Sequence, residues 1–335
     1  MSQITIADVI AAQDRINHLI HHTPLLASSL LNHWLGHNIV FKAECLQTIG
    51  AFKIRGASNI LAKLAQQNNL PNRIVANSSG NHAQAVAYAA KQYAIPTTIY
   101  TVESISPVKA AATRGYGAEV KMFTSRVLAD EAVAAAGEEP DTLWIPPFNH
   151  PDIIAGQGTA ALEALQQMDT TPNAVFAPCG GGGLLSGTLI STRAFAPNCQ
   201  VIGCEPLAAN DAARSLRAGQ IVPLPGPAIT LADGAATPSV GSHTFPLLQQ
   251  LDDFYEVPER HIQYWTQWLQ HILKVHVEPT SAMCMGGVVN WLAKQREPQT
   301  VLVILSGGNV SEATMRQIWA NPDLSIQPSL ALTLD

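Results

Sequence analysis

At 335 residues the chain has room for two domains, or for one large domain carrying a smaller one. Hydrophobic residues make up 47% and charged residues 13%, which excludes a disordered chain and points to extensive buried surface. The net charge is −6 and the basic residues are scattered, so there is no electrostatic footprint for nucleic acid.

The N-terminus, Met-Ser-Gln-Ile-Thr-Ile-Ala-Asp, lacks a basic segment followed by an apolar core, so no signal peptide is expected. Apolar residues at helical spacing (Ile6, Val9, Ile10, Ile16, Leu19) predict a helix over 5–20, ended by His21-His22-Thr23-Pro24. The two histidines read as a helix terminus, because no further metal ligands accompany them. A second helix over 28–35 stops at Gly36, and 39–44 reads as a strand. The stretch from Gly50 to Ala57 joins that strand to a helix over 58–66. Residues 73–76 form a strand running into Ser78-Ser79-Gly80-Asn81-His82, with a helix over 83–90. Strands over 95–101, 118–123 and 143–145 then alternate with helices over 106–116 and 125–137. Such alternation predicts a parallel sheet with right-handed crossovers.

Gly156-Gln157-Gly158 is expected to open a helix over 159–167. A strand over 174–177 leads into Gly180-Gly181-Gly182-Gly183 and a helix over 184–194, followed by a strand over 200–205. Residues 218–242, rich in Pro and Gly, read as an ordered loop. A strand over 254–257, helices over 259–273 and 280–294, and a strand over 300–305 complete the pattern, which ends at Ser306-Gly307-Gly308-Asn309. The tail from Pro322 has no clear pattern. No apolar run approaches the roughly 18 residues of a membrane span. The five cysteines include no CxxC pair, which suggests neither a disulfide framework nor a zinc site. A soluble cytoplasmic protein is the expectation.

Three turns carry chemistry. Lys53, in the first turn of a helix and beside Phe52, sits where the macrodipole and desolvation both disfavour its charge. A neutral amine at physiological pH is what Schiff-base chemistry requires, although a lone lysine more often is a solvated helix residue. Gly180 to Gly183 place successive backbone N–H groups at a helix N-terminus, an arrangement that binds phosphate without a charged side chain. They lack the Gly-Lys-Ser/Thr ending of a nucleotide loop and do not fit GxGxxG, which favours a small phosphorylated cofactor. The Ser78–His82 turn offers N–H groups and hydroxyls to a carboxylate, or serves simply as a helix cap. Ser306 offers a hydroxyl to a neutral ring nitrogen, or marks a plain tight turn.

Taken in order, these turns resemble the pyridoxal phosphate enzymes of the tryptophan-synthase β family (fold type II), most nearly the serine/threonine dehydratase and serine racemase branch. The resemblance spans about residues 5–320, with HTPL at 22–25, SSGNHAQA at 78–85, IAGQGT at 154–159, ADG at 232–234 and EPT at 278–280. It implies an α/β fold of two lobes, parallel-rich twisted sheets flanked by helices, with the cofactor in the cleft between them. The large lobe would comprise 1–72 and 148–330, the small lobe 73–147, with 331–335 as a tail. It also implies a homodimer, and no C-terminal regulatory domain is seen.

The resemblance implies that Lys53 carries the cofactor and removes the α-proton, with Phe52 packed on the ring. Asn81 would partner the ring hydroxyl, Gly180, Gly181, Gly182 and Gly183 the phosphate, and Ser306 the pyridine nitrogen. Ser78, Ser79, Gly80, Asn81 and His82 would hold the substrate carboxylate. A neutral hydroxyl at the ring nitrogen makes a weaker electron sink, which suits loss of a β-hydroxyl. The expected products are a 2-oxo acid and ammonia. Ser79 stands where racemases place a hydroxyl opposite the lysine, so two-face proton transfer is an alternative. Glu205, Asp211 and the carbonyl of Ala209 match the branch's cation site, with hard oxygen ligands suited to Mg²⁺, Ca²⁺ or Mn²⁺. Dehydration of L-threo-3-hydroxyaspartate would need a second carboxylate anchor, for which His82 and Arg126 are candidates.

Ile49 and Cys45 depart from the family's usual Thr and Asn beside the lysine turn, and are expected to alter the shape offered to substrate. Cys179, next to the glycines, reads as a small buried filler. A sulfhydrylase is disfavoured by His82, where that branch has Thr. Two readings from other classes stay open: a non-catalytic binder of phosphorylated metabolites, and a nicotinamide-dependent dehydrogenase that would lack its fingerprint.

Overall fold

The computed structural model describes residues 4–334. Met1–Gln3, part of the stretch read for a leader, and Asp335 of the expected tail lie outside the described residues. The strands are β1 (Leu25–Ala27), β2 (Asn38–Ala43), β3 (Arg73–Asn77), β4 (Thr97–Val102), β5 (Glu119–Phe123), β6 (Thr142–Trp144), β7 (Ala174–Pro178), β8 (Gln200–Pro206), β9 (Asp253–Val257) and β10 (Thr300–Leu305). They form two sheets, ordered β1-β2-β10-β7-β8-β9 and β5-β4-β3-β6. Every pairing is parallel except β1 with β2. The α/β reading and its parallel crossovers therefore hold.

Burial follows strand position. β7 and all but the first residues of β8 and β10 are buried, as expected of continuous apolar runs covered by helices on both faces. The edge strand β5 instead has only exposed and half-buried residues.

Four expectations need correction. The lysine-turn helix begins at Lys53 itself and runs to Gln66, because Phe52–Arg55 already turns helically and Arg55 is anchored in the interior. Gly156 and Gly158 do not open a helix but lie inside the helix Pro151–Gln167, which is capped by His150. Their role is close approach: a Cβ on Gly156 would stand 2.7 Å from the Arg55 carbonyl oxygen, and one on Gly158 would stand 2.9 Å from that of Gly187. The N-terminal helix ends at Ile16, and the predicted helix over 280–294 is divided at Met283. The strand β1 and the helix Glu312–Ile318 carry too few periodic residues to be read in advance. The patternless tail is nonetheless docked, with Leu330, Leu332 and Leu334 packed on the largest core cluster.

Beneath the lysine turn lies a buried ionic cluster. Arg55 donates to Glu44 at 2.7 Å and to Glu163 at 3.1 Å, and Lys42 donates to Glu163 at 2.5 Å. Arg55, Lys42 and Glu44 are inaccessible to solvent. Removing one partner from such a cluster costs about 3–5 kcal/mol, since a buried charge is left uncompensated. The cluster fixes the first turn of the helix that starts at Lys53.

Candidate active site

A cavity of about 800 Å³ opens at the C-terminal ends of β3, β6, β7 and β10, so both sheets line it. This is where open parallel sheets ordinarily place ligands. Lys53, Ser78 to His82, Gly180 to Gly183 and Ser306 all line this one cavity. Residues from four separated stretches of sequence thus converge.

The lysine turn is joined to the turn after β10. Phe52 donates its N–H to the Ser306 carbonyl at 2.9 Å, and Gly308 donates to the Gly50 carbonyl at 2.9 Å. Gly50 has φ +72°, and a Cβ there would stand 2.7 Å from the Asn309 amide oxygen, so only glycine suits this position. The Lys53 amine donates to the Pro147 carbonyl at 2.6 Å and lies 5.1 Å from the centre of the Phe52 ring. Burial lowers its pKa from 10.5 to about 8, while the Glu278 carboxylate nearby pulls the other way. At neutral pH this raises the free-amine fraction from well under one in a thousand to roughly one in ten.

The glycine loop sits between β7 and the helix Gly183–Phe195, with Gly182 at φ +90° as its N-cap. Among the described residues, the N–H groups of Gly180, Gly181, Gly182 and Gly183 donate to no protein acceptor. Four unpartnered donors at a helix N-terminus fit a phosphate group. Phe148 covers Gly181 and Gly183, and Thr244 covers Gly182, so added side chains would collide with them.

Opposite, the turn after β3 leads into the helix Asn81–Lys91. The Gly80 N–H donates to Ser78 Oγ, whereas those of Ser79, Asn81 and His82 have no protein acceptor among the described residues. This second cluster of donors suits a carboxylate. The His82 side chain offers no such contact: Nε2 meets the Ile145 carbonyl at 2.9 Å, so it carries the proton and leaves Nδ1 as an acceptor. Burial and the Lys53 charge push His82 down to about 3, which keeps the ring neutral.

Glu278 lines the cavity, and the sequence reading gave it no role although it falls within the EPT match. It is buried in the cavity wall and accepts from Asn81 Nδ2 at 3.0 and 3.2 Å. Asn309 Nδ2 in turn donates to Asn81 Oδ1 at 2.9 Å, so the Asn81 amide is held in one orientation from both ends. Burial, with Asp233 adding to it, raises the Glu278 pKa to about 7. Ser281 is likewise marked by no pattern. Its Oγ lies 2.9 Å from Ser306 Oγ, accepts from Gly307 N–H at 2.8 Å, and can turn its single proton toward either Ser306 or the Gly307 carbonyl.

Ile49 and Cys45 do not line the cavity; Ile49 is buried and its carbonyl accepts from Asn309. Ile49 thus meets the Asn309 side chain behind the lysine turn, and Cys45 packs on the largest core cluster. Cys179 is wholly buried. Arg126 does line the cavity, as does Lys109, which no motif marks.

Glu205 is the last residue but one of β8, and Asp211 opens the helix Asp211–Ala218. Both side chains and Ala209 are inaccessible to solvent. Glu205 accepts from the Ala212 and Ala213 N–H groups at 3.1 and 2.7 Å, while neither Asp211 oxygen meets a donor in hydrogen-bond geometry. Burial raises Glu205 to about 8 and Asp211 to about 7. Two buried carboxylates, one of them without donors, fit a hard cation. No cluster of three or more His, Cys, Asp or Glu side chains suited to a metal occurs among the described residues. A backbone carbonyl would have to complete this one.

Residues 16–307 match the family described as pyridoxal-phosphate dependent enzymes. The chain is 42% identical to the L-threo-3-hydroxyaspartate ammonia-lyase of Saccharomyces cerevisiae, over 91% of this chain and 93% of the relative. It is 38% identical to the serine racemase of Dictyostelium discoideum, over 95% and 98%. The solved T.th. threonine deaminase superposes with a TM-score of 0.85 at 43% identity, covering 91% of this chain and 98% of that one.

Proposed function

The chain belongs to the pyridoxal-phosphate-dependent enzymes, and on that premise we propose that it eliminates the β-hydroxyl of a 3-hydroxy amino acid as water, after which the released enamine takes up water and gives off ammonia. The substrate is L-serine, L-threonine or L-threo-3-hydroxyaspartate, and the product is a 2-oxo acid. The observation that carries this reading is the Lys53 amine, with its pKa near 8, in one cavity with two unpartnered N–H clusters.

When bound, the cofactor supplies an aldehyde for the amine and an electron sink for the bond broken at Cα. Gly180 to Gly183 hold its phosphate, and Phe52 packs on its ring. Asn81 partners the ring hydroxyl and Ser306 the ring nitrogen. The N–H groups of Ser79, Asn81 and His82 receive the substrate carboxylate, which orients the α-proton toward Lys53. The Lys53 amine would take that proton as the general base. Glu205, Asp211 and the Ala209 carbonyl would hold Mg²⁺, Ca²⁺ or Mn²⁺, whose charge lets both carboxylates ionise while buried. We read residues 73–147 as the smaller lobe of the cleft, and the enzyme as a cytoplasmic homodimer.

Racemisation is the second reading. It is favoured by Ser79, which is exposed in the cavity wall and whose hydroxyl makes no hydrogen bond among the described residues. One experiment separates the two: proton NMR of the holoenzyme with Mg²⁺ and each amino acid in D₂O. A 2-oxo acid signal establishes the dehydratase. Loss of the α-proton signal from an otherwise intact amino acid establishes reversible proton transfer instead. No change with any of the three substrates defeats both.

A further inference from the structure

Resting on that reading and deepening it, we propose that Lys109 selects a substrate bearing a second carboxylate, so that the preferred class is a 3-hydroxy dicarboxylic α-amino acid. Lys109 lies in the helix Pro107–Gly115, and its ammonium faces the cavity with the side chain only 13% exposed. The nitrogen is 4.0 Å from where a Gly80 Cβ would stand, directly beside the loop whose N–H groups await a carboxylate.

The lysine and arginine side chains in the cavity wall, among the described residues, are Lys53, Lys109 and Arg126. Lys53 is committed to the cofactor. Arg126 is half-exposed and donates to Asp130 at 2.8 Å on its own helix, and Asn77 also binds that carboxylate at 2.6 Å. His82 is neutral. Lys109 is therefore the shielded cation in the wall that no step of the elimination uses.

Its one hydrogen-bond partner among the described residues is Asp233, at 2.7 Å from across the cavity. An ammonium has three donors, so two are left for a ligand. The Asp233 side chain is 61% exposed, and it loses little when it turns out to water. A four-carbon dicarboxylate is short enough to set one carboxylate on the Ser79–His82 donors while the other reaches Lys109. The methyl of threonine and the bare β-carbon of serine make no such bond, and with them Lys109 stays on Asp233.

The test compares kcat/KM of the holoenzyme for L-threo-3-hydroxyaspartate and for L-threonine. In Lys109→Met, which keeps the apolar stem, the ratio of the two should fall about 50-fold, the loss of one charge-assisted hydrogen-bonded pair. In Arg126→Met it should move less than about threefold. Asp233→Asn, at an exposed site that folding tolerates, removes the competitor and should raise the ratio. Binding gives an independent readout: L-aspartate and L-alanine, which have no β-hydroxyl to lose, are titrated against the cofactor's absorbance. Lys109→Met should weaken L-aspartate relative to L-alanine by a similar factor.

Equal losses on both substrates would assign Lys109 to the α-carboxylate or to the lobe contact and overturn the proposal. So would an unchanged ratio, or a larger change in Arg126→Met. If the wild-type holoenzyme converts neither of these nor L-serine, the proposed function fails, yet the L-aspartate to L-alanine binding ratio still decides the role of Lys109.

Discussion

The glycine loop after β7 and the serine loop after β3 both turn unpartnered N–H groups into the same cavity, but they are held in different ways. Around the glycines every Cβ direction is filled. A Cβ on Gly180 would stand 3.1 Å from the Ala235 Cα, one on Gly182 would stand 2.9 Å from Thr244, and one on Gly181 would overlap the Phe148 ring. The Gly181 carbonyl is fixed by Thr244 Oγ at 2.7 Å. Around Gly80, by contrast, a Cβ would meet only the Lys109 ammonium, and Ser79 is open to solvent. The parent strands differ in the same sense. β7 lies between β10 and β8 in the six-stranded sheet, whereas the sheet of β3 is four strands wide with half-exposed edges.

The difference teaches where this chain is specific. The side that fits a phosphate admits no side chain on its loop, while the side that fits an amino acid leaves room around Gly80 and an exposed Ser79. Relatives of 38–42% identity over more than nine-tenths of this chain are named for different reactions on amino acids. That is what a rigid cofactor side and an adaptable substrate side would produce.

The largest effect should come from Gly181→Ala. Its methyl must displace the Phe148 ring, and overpacking of this kind costs about 1–3 kcal/mol. Urea denaturation should show a loss near the top of that range, and cofactor absorbance should show weakened retention. A variant that kept both stability and cofactor would break the contrast between the two loops.

A smaller and more pointed effect is expected from Glu278→Gln. The Glu278 carboxylate raises the Lys53 pKa against the stronger lowering by burial, so removing its charge should move the amine below about 8. Capture of pyridoxal phosphate by the cofactor-free protein needs the neutral amine. Its rate in wild type should therefore climb with pH up to about 8 and then level off. In Glu278→Gln the midpoint should fall by about 0.5–1 pH unit. An upward shift, or none, would mean that the Glu278 charge does not reach Lys53.

Much of this arrangement was legible in the sequence, and the legible part is the backbone part. Gly180 to Gly183 between a buried strand and a helix, Lys53 at a helix start and the Ser78–His82 turn are local patterns, and each lines the cavity as expected. What escaped depends on contacts distant in the chain. Glu278 matters because it meets Asn81 from 197 residues away, and Lys109 because it meets Asp233 from 124 residues away. No local period marks either residue. The misplacement of Gly156 and Gly158 has the same origin. Glycine before a helical run reads as a helix opener until the neighbouring helices are seen pressed against it.

The smallest expected effect lies on the open side of the comparison and decides between the two readings of the enzyme. Ser79 is exposed and has no hydrogen-bonded partner, so Ser79→Ala should change folding stability by less than about 0.5 kcal/mol. If Ser79 serves only as part of a carboxylate-binding loop, its backbone N–H does the work and the variant should keep dehydrating within about tenfold of wild type. If its hydroxyl moves a proton on the face opposite Lys53, α-proton exchange that retains the amino acid should fall by about 10²-fold or more while dehydration is spared. The two rates are read from one NMR time course in D₂O. A parallel fall in both would tie Ser79 to substrate binding and remove the racemase reading.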